Sequence, residues 1–186
     1  MTPYPSNNFL VSDNIHYIDM RRNTPEQFAR QLREGHYNEL RVALYFMLKG
    51  MHVRIGYSGQ SYDIHVLPSD RPGFSVEVKW DKRAAATGNL YFEIENTRQH
   101  RPSGVASTQA DYWCHVIGDG DEAMLASVAL MRKLLKARPF REVRTRGEDS
   151  NSRGLLIPRD WLSQQKGIAW IELPTVADFF GELFRK

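Results

Sequence analysis

The sequence predicts an α/β domain in which a central mixed β-sheet is flanked by helices. Three observations carry that prediction: a long helical pattern near the start, a middle made of short strand patterns, and a later part in which both patterns alternate. The 186 residues fit one compact domain, with room for a core but hardly for two. Hydrophobic residues make up 41% and charged residues 25%, which argues against wholesale disorder and against collagen-like or coiled-coil repeats. No apolar run approaches the ~20 residues that span a bilayer. The opening MTPYPSNNFLVSDN also lacks the basic and apolar regions of a secretion signal, so no membrane partner and a cytoplasmic setting are expected. Cys114 is the only cysteine, which excludes an internal disulfide and a Cys-rich zinc site. Its strand context predicts a buried structural thiol rather than a nucleophile.

Residues 1–23 read as an N-terminal arm with a short extended stretch at 15–18, and residues 24–186 as the domain. Thr24-Pro25-Glu26-Gln27 combines a possible N-cap, a proline at the first helical position and a capping-box Gln, so a helix starts here and Gly35 is expected to end or bend it. A second helical run over 37–49 is apolar on too many sides for a surface helix and is expected to be buried. Gly50 supplies a stop, and strands follow at 52–55, 61–67, 74–80 and 90–95. A short helix is expected over 108–112, a strand over 113–117 and an amphipathic helix over 121–137. A polar loop over 144–153 leads to a strand at 155–157, a helical turn from Pro158, a strand at 168–171 and a last helix from Thr175.

The informative stretch is a predicted hairpin with its turn centred on Asp70. Facing residues then have numbers summing to 140, which pairs Val66 with Phe74, Ile64 with Val76 and Tyr62 with Val78 on an apolar face. The other face pairs Ser61 with Lys79, Asp63 with Glu77 and His65 with Ser75, all polar. Two carboxylates placed opposite each other at about 5 Å repel by on the order of 3 kcal/mol at an effective dielectric of ~20. A divalent cation between Asp63 and Glu77 would reverse that sign, with the Val78 carbonyl as a further ligand and Lys79 two residues on along the same face. The alternative is a solvated hairpin in which Lys79 merely neutralises two acids. In the helix before the sheet, Glu39 interrupts a buried stripe; it either meets a metal or cation beneath the helix or frays into solvent.

These residues resemble the PD-(D/E)XK nuclease superfamily, which includes restriction endonucleases, Holliday junction resolvases and phage recombination exonucleases. Gly35-x-x-x-Glu39 before an apolar helix is similar to its first helix with an acid, Asp63 to its strand acid, and Glu77-Val78-Lys79 to its E-x-K signature. The stretches 87–95, 102–104 and 110–113 are similar to phage-type members. Tyr62 stands where many members carry proline, and a strand bearing Glu93 and Glu95 intervenes before the next helix. The resemblance implies a restriction endonuclease-like sandwich with its core over 35–137 and Mg2+- or Mn2+-dependent hydrolysis of DNA phosphodiesters. Asp63, Glu77, Val78 and Glu39 would hold the metal, and Lys79 would orient the attacking water. Gln109 resembles a helix glutamine that contacts the site in some relatives, and Glu93 and Glu95 either join the site or form an exposed polar edge.

Net charge is only +3, so local clustering matters more than the total. Lys82 and Arg83, with Arg138, Arg141 and Arg144 from the basic run over 132–146, are candidates for backbone phosphates; the run equally suits a solvated helix end. His65 is better explained by hydrogen bonding within the sheet than as a ligand. The competing function is a catalytically silent DNA-binding module or assembly subunit with the same fold. Homo-oligomers occur among the superfamily, but no interface is identifiable in the sequence.

Overall fold

A computed structural model describes residues 25–56, 62–144 and 151–176. The expected arm over 1–23, Ser61 with its pairing to Lys79, and the last helix beyond Val176 lie outside the described residues. Helix α1 spans Pro25–Leu48, with Pro25 at its first position as expected. It runs through Gly35 rather than ending there. An interior glycine costs roughly 1 kcal/mol against alanine, too little to interrupt a long helix whose second half is packed. Gly50, at φ +79, follows it in the left-handed conformation of a helix stop.

The strands are β1 (His52–Ile55), β2 (Ile64–Leu67), β3 (Phe74–Asp81), β4 (Asn89–Asn96), β5 (Arg101–Pro102), β6 (Tyr112–Ile117), β7 (Glu122–Ser127), β8 (Arg141–Arg144), β9 (Ser152–Pro158) and β10 (Ala169–Glu172). Short helices α2 (Ala84–Thr87), α3 (Val128–Leu134) and α4 (Arg159–Ser163) lie between them. Among the described residues these strands form a six-stranded sheet in the order β1-β2-β3-β6-β7-β10 and a four-stranded sheet in the order β5-β4-β9-β8. The larger sheet is mixed: β3 pairs antiparallel with β2 and parallel with β6. The expected α/β class with a central mixed sheet is therefore the fold that forms.

Side chains alternate along β6 between two cores. Cys114 and Val116 face the layer shared with Val42, Ala43 and Phe46 of α1, while Trp113 and Ile117 face the layer shared with Leu90 and Phe92 of β4 and Met131 of α3. The molecule is thus layered as α1, the six-stranded sheet, then the smaller sheet with α3. Arg41 fastens the first layer. It is buried and donates to the Asp121 carboxylate at 2.5 Å and to the carbonyls of Gly120 at 3.0 Å and Pro174 at 3.1 Å.

Three local expectations fail. Residues 121–137 divide into β7 and α3 instead of forming one helix. Ala123, Met124, Leu125 and Ala126 are good helix formers, but β7 is held on both sides by β6 and β10, and sheet pairing overrides propensity. The helix expected over 108–112 is replaced by a 3₁₀ turn at Gly104–Ala106 and by the start of β6. The strand expected at 90–95 forms, but in the second sheet. There β9 is its long antiparallel partner, and β8 supplies a strand where a basic run leading into a polar loop was expected.

Candidate active site

The β2–β3 hairpin forms in the register that the apolar and polar faces require: Ile64 opposite Val76, His65 opposite Ser75 and Val66 opposite Phe74. Ile64, Val66, Val76 and Val78 are buried under α1, because only this register puts all four on one face. The regular pairing ends at Ile64, so the pairs expected for Tyr62–Val78 and Asp63–Glu77 are not continued as a ladder. Asp63 turns inward instead. Its N–H donates to the Val76 carbonyl at 3.1 Å, and its carboxylate accepts the Val78 N–H at 2.7 Å. What Val78 supplies here is thus a donor to Asp63.

Burial, the largest influence on Asp63, lifts its pKa from 3.8 to about 6. Lys79 and the Val78 N–H pull it down, while Glu77 and Glu39 push it further up. One carboxyl therefore feels charges from α1 and from two positions of β3 at once. Glu77, only 16% exposed, holds the Lys79 ammonium at 2.5 Å. Its other oxygen accepts the Thr108 hydroxyl at 3.4 Å. Desolvation lowers the affinity of Lys79 for its proton, but Glu77 and Asp63 together outweigh it and raise the pKa above its ordinary value, so the side chain is firmly cationic. Glu39 is 17% exposed and accepts a hydrogen bond from His36 Nδ1 at 2.9 Å, so it is neither frayed into solvent nor without a partner.

Three carboxylates act near one ammonium here, and Asp63, Glu77 and Glu39 are the side chains that could hold a hard divalent cation. Among the described residues no three His, Cys, Asp or Glu side chains converge tightly enough to form a shell by themselves. Water and backbone carbonyls would have to complete the coordination, as is usual for magnesium.

The accessory candidates separate. Glu93 and Glu95 lie on either side of an irregularity in the β4–β9 pairing. Glu95 is bound by Arg153 at 2.5 Å, away from the cluster. Glu93 accepts the Ser103 hydroxyl at 2.5 Å, and its charge reaches Lys79. Gln109 is exposed and donates to the Ser107 carbonyl at 3.2 Å, a local contact within its loop. Arg132, from the basic run, is a brace: it donates to the carbonyls of Val105 at 2.9 Å and Thr108 at 2.6 Å, holding the loop that carries Thr108 to Glu77.

A cleft of about 1060 Å³ is lined by residues from both sheets, Lys79, Asp81, Tyr91 and Glu93 among them. Lys82, Arg83, Arg141 and Arg144 border it. Lys82 lies 4.0 Å from the centre of the Trp80 ring. Arg138 does not border it and stacks instead on Phe140 and Trp161. Beneath the cleft, His115 Nε2 approaches Asp81 at 3.4 Å and Trp113 Nε1 donates to His115 Nδ1 at 3.2 Å. Burial raises the pKa of Asp81, but His115 and the N–H groups of Tyr91 and Arg83 more than offset this and hold it below its ordinary value. Thr108 and the Asp81–His115 pair went unseen in the sequence because nothing in their local spacing links them to their partners.

No family model matches the chain, and no curated protein matches it. No helix of the described residues is long and apolar enough to cross a membrane. Among solved structures, a bacterial homing endonuclease, I-Ssp6803I, is similar over 71% of this chain and 80% of that chain, at 15% identity and a TM-score of 0.45.

Proposed function

We propose that the protein is a metal-dependent nuclease that hydrolyses DNA phosphodiester bonds at the Asp63, Glu77 and Lys79 cluster. The observation that supports this reading is the inward-turned Asp63, whose carboxyl is lifted to about pKa 6 while Glu77, Lys79 and Glu39 act on it from two elements. Asp63, Glu77 and the Val78 carbonyl, with Glu39 directly or through water, are the residues that would hold magnesium or manganese. A bound divalent ion supplies Lewis-acid polarisation of the phosphate and a lowered pKa for water. Glu77 fixes the Lys79 ammonium and leaves its other N–H donors to orient an attacking water or a phosphate oxygen. Thr108 restrains the second oxygen of Glu77, so the carboxylate is held from both sides.

A silent DNA-binding module is the second reading, favoured by one contact: the Lys79–Glu77 ion pair neutralises an acid whether or not catalysis follows. The test is cleavage of supercoiled, linear and branched DNA in magnesium, manganese or EDTA, with wild type, Glu77→Gln and Lys79→Met. Metal-dependent cutting that both substitutions abolish is the expected outcome. DNA binding without cleavage of any substrate would establish the module instead.

A further inference from the structure

The chain between β5 and β6, residues 103–111, is fastened to three elements around the proposed site. At its start, the Ser103 hydroxyl donates to the Glu93 carboxylate of β4 at 2.5 Å. At its end, the Asp111 carboxylate accepts both the N–H and the hydroxyl of Ser75 on β3 at 2.8 Å, bonds that hold this carboxyl below its ordinary pKa. In the middle, Arg132 of α3 donates from Nε to the Val105 carbonyl and from Nη2 to the Thr108 carbonyl. The turn at Gly104–Ala106 does not satisfy those two groups itself: the N–H groups of Ala106, Ser107 and Thr108 end on the carbonyls of Ser103 and Gly104. A planar guanidinium offers two donors in one rigid fork, so it also fixes the two carbonyls relative to each other.

What this loop delivers to the site is one hydroxyl. Thr108 Oγ1 accepts the Ala110 N–H at 3.2 Å, which leaves its own proton for Glu77 Oε2 at 3.4 Å. The other Glu77 oxygen holds Lys79. The terminal torsion of a glutamate is soft, and a carboxylate gripped on one oxygen turns about it; a contact on the second oxygen stops the turning. At 3.4 Å that contact is long beside the ~2.7–2.8 Å of an ordinary O–H···O bond. It therefore depends on where the loop stands, and Arg132 decides where the loop stands.

Resting on the hydrolysis proposed for Asp63, Glu77 and Lys79, we infer that Arg132 and Thr108 are positioning residues for that reaction: the guanidinium sets the loop, and the loop's hydroxyl sets the Glu77 carboxylate. Arg132, the first cation of the basic run, then acts on turnover and not on affinity for DNA.

The test uses the full chain with Thr108→Val, Thr108→Ser, Arg132→Met and the Thr108→Val/Arg132→Met double variant, each shown to be folded by circular dichroism. Cleavage is followed against DNA concentration in manganese, and manganese binding by calorimetry. Groups that orient a metal ligand are worth about 10–100-fold, so Thr108→Val and Arg132→Met should each lower kcat at least about tenfold with KM for DNA within about twofold of wild type. Thr108→Ser keeps the hydroxyl and should stay within about threefold of wild type. The double variant should be no slower than the slower single variant, because both changes act through one hydroxyl. Should Arg132→Met not fold, Arg132→Lys, which keeps the charge but not the fork, replaces it. Wild-type kcat in Thr108→Val, an equal loss in Thr108→Ser, a raised KM at unchanged kcat in the Arg132 variant, or losses that multiply in the double variant would each overturn the inference. The hydrolysis fails separately. A wild type that binds manganese but cuts no DNA removes it, and the positioning is then read by calorimetry: Thr108→Val should weaken manganese about tenfold, and unchanged affinity overturns the inference. A wild type that neither cuts nor binds manganese removes both readings.

Discussion

Replacing Asp63 by Asn should make the metal-free protein more stable at neutral pH. The carboxyl has a pKa of about 6 in the fold against an ordinary 3.8, and at ~1.36 kcal/mol per pH unit the gap corresponds to about 3 kcal/mol. Because the folded value is the higher one, folding favours the protonated acid. That contribution is complete below pH 3.8, is lost as pH rises through about 6, and above it the ionised Asp63 weakens the fold. Asn keeps an oxygen to accept the Val78 N–H and carries no charge at any pH. Urea or thermal unfolding in EDTA should therefore show Asp63→Asn equal to wild type near pH 3.5 and up to about 3 kcal/mol more stable at pH 7.5. For a domain of this size that is a Tm higher by roughly 6–12 °C. On the proposed metal site, magnesium would bind and stabilise only the wild type and should then narrow the difference. A variant less stable than wild type at pH 7.5, or a difference that does not change with pH, would refute the electrostatic account of Asp63.

Lys79→Met removes the charge that most lowers the Asp63 pKa, so that carboxyl should titrate above about 6 by NMR, and metal-dependent cleavage should fall by at least about a hundredfold. Gly104→Ala should destabilise the fold by about 2–4 kcal/mol in urea unfolding: residue 104 has φ +54, and an added Cβ would stand 2.5 Å from the Glu93 carbonyl oxygen. Cys114 is fully buried and its thiol is pushed up to about 12, so the native protein should resist aromatic disulfide reagents at pH 8 and react only on unfolding.

How much of this was legible in the sequence depends on whether the deciding contacts were local. The β2–β3 register was readable because two alternating faces constrain it together, and a slip by one residue would have buried His65 and exposed Val66. The helix predicted over 121–137 misled because alanine, methionine and leucine suit a helix and a doubly buried strand alike, and only the neighbours β6 and β10 decide between them. Glu93 and Glu95, two apart on one strand, were expected to share a face and a fate. The irregular pairing with β9 sends them to Ser103 and Arg153 respectively. The basic run over 132–146 likewise read as one patch, yet Arg132 holds a loop, Arg138 lies on aromatic rings, and Arg141 and Arg144 border the cleft. Charge density was visible in the sequence; the division of labour among the charges required the second sheet.

The poor solvation of Asp63 carries a cost that a metal site would offset. On a hairpin with no task beyond folding, the same position would be served better by Asn, which makes the Val78 contact without the roughly 3 kcal/mol that ionisation costs at neutral pH. Lys79 cannot cancel that cost, since it is already held by Glu77 at 2.5 Å and its effect on Asp63 is smaller than that of burial. A divalent ion present at about a hundredfold its Kd would contribute about 2.7 kcal/mol to the folded state, the same size as the penalty. An ion bound at the ionised Asp63 would stabilise wild type and not Asp63→Asn, so the metal-free and metal-bound stabilities of that variant separate a binding site from a decorated hairpin.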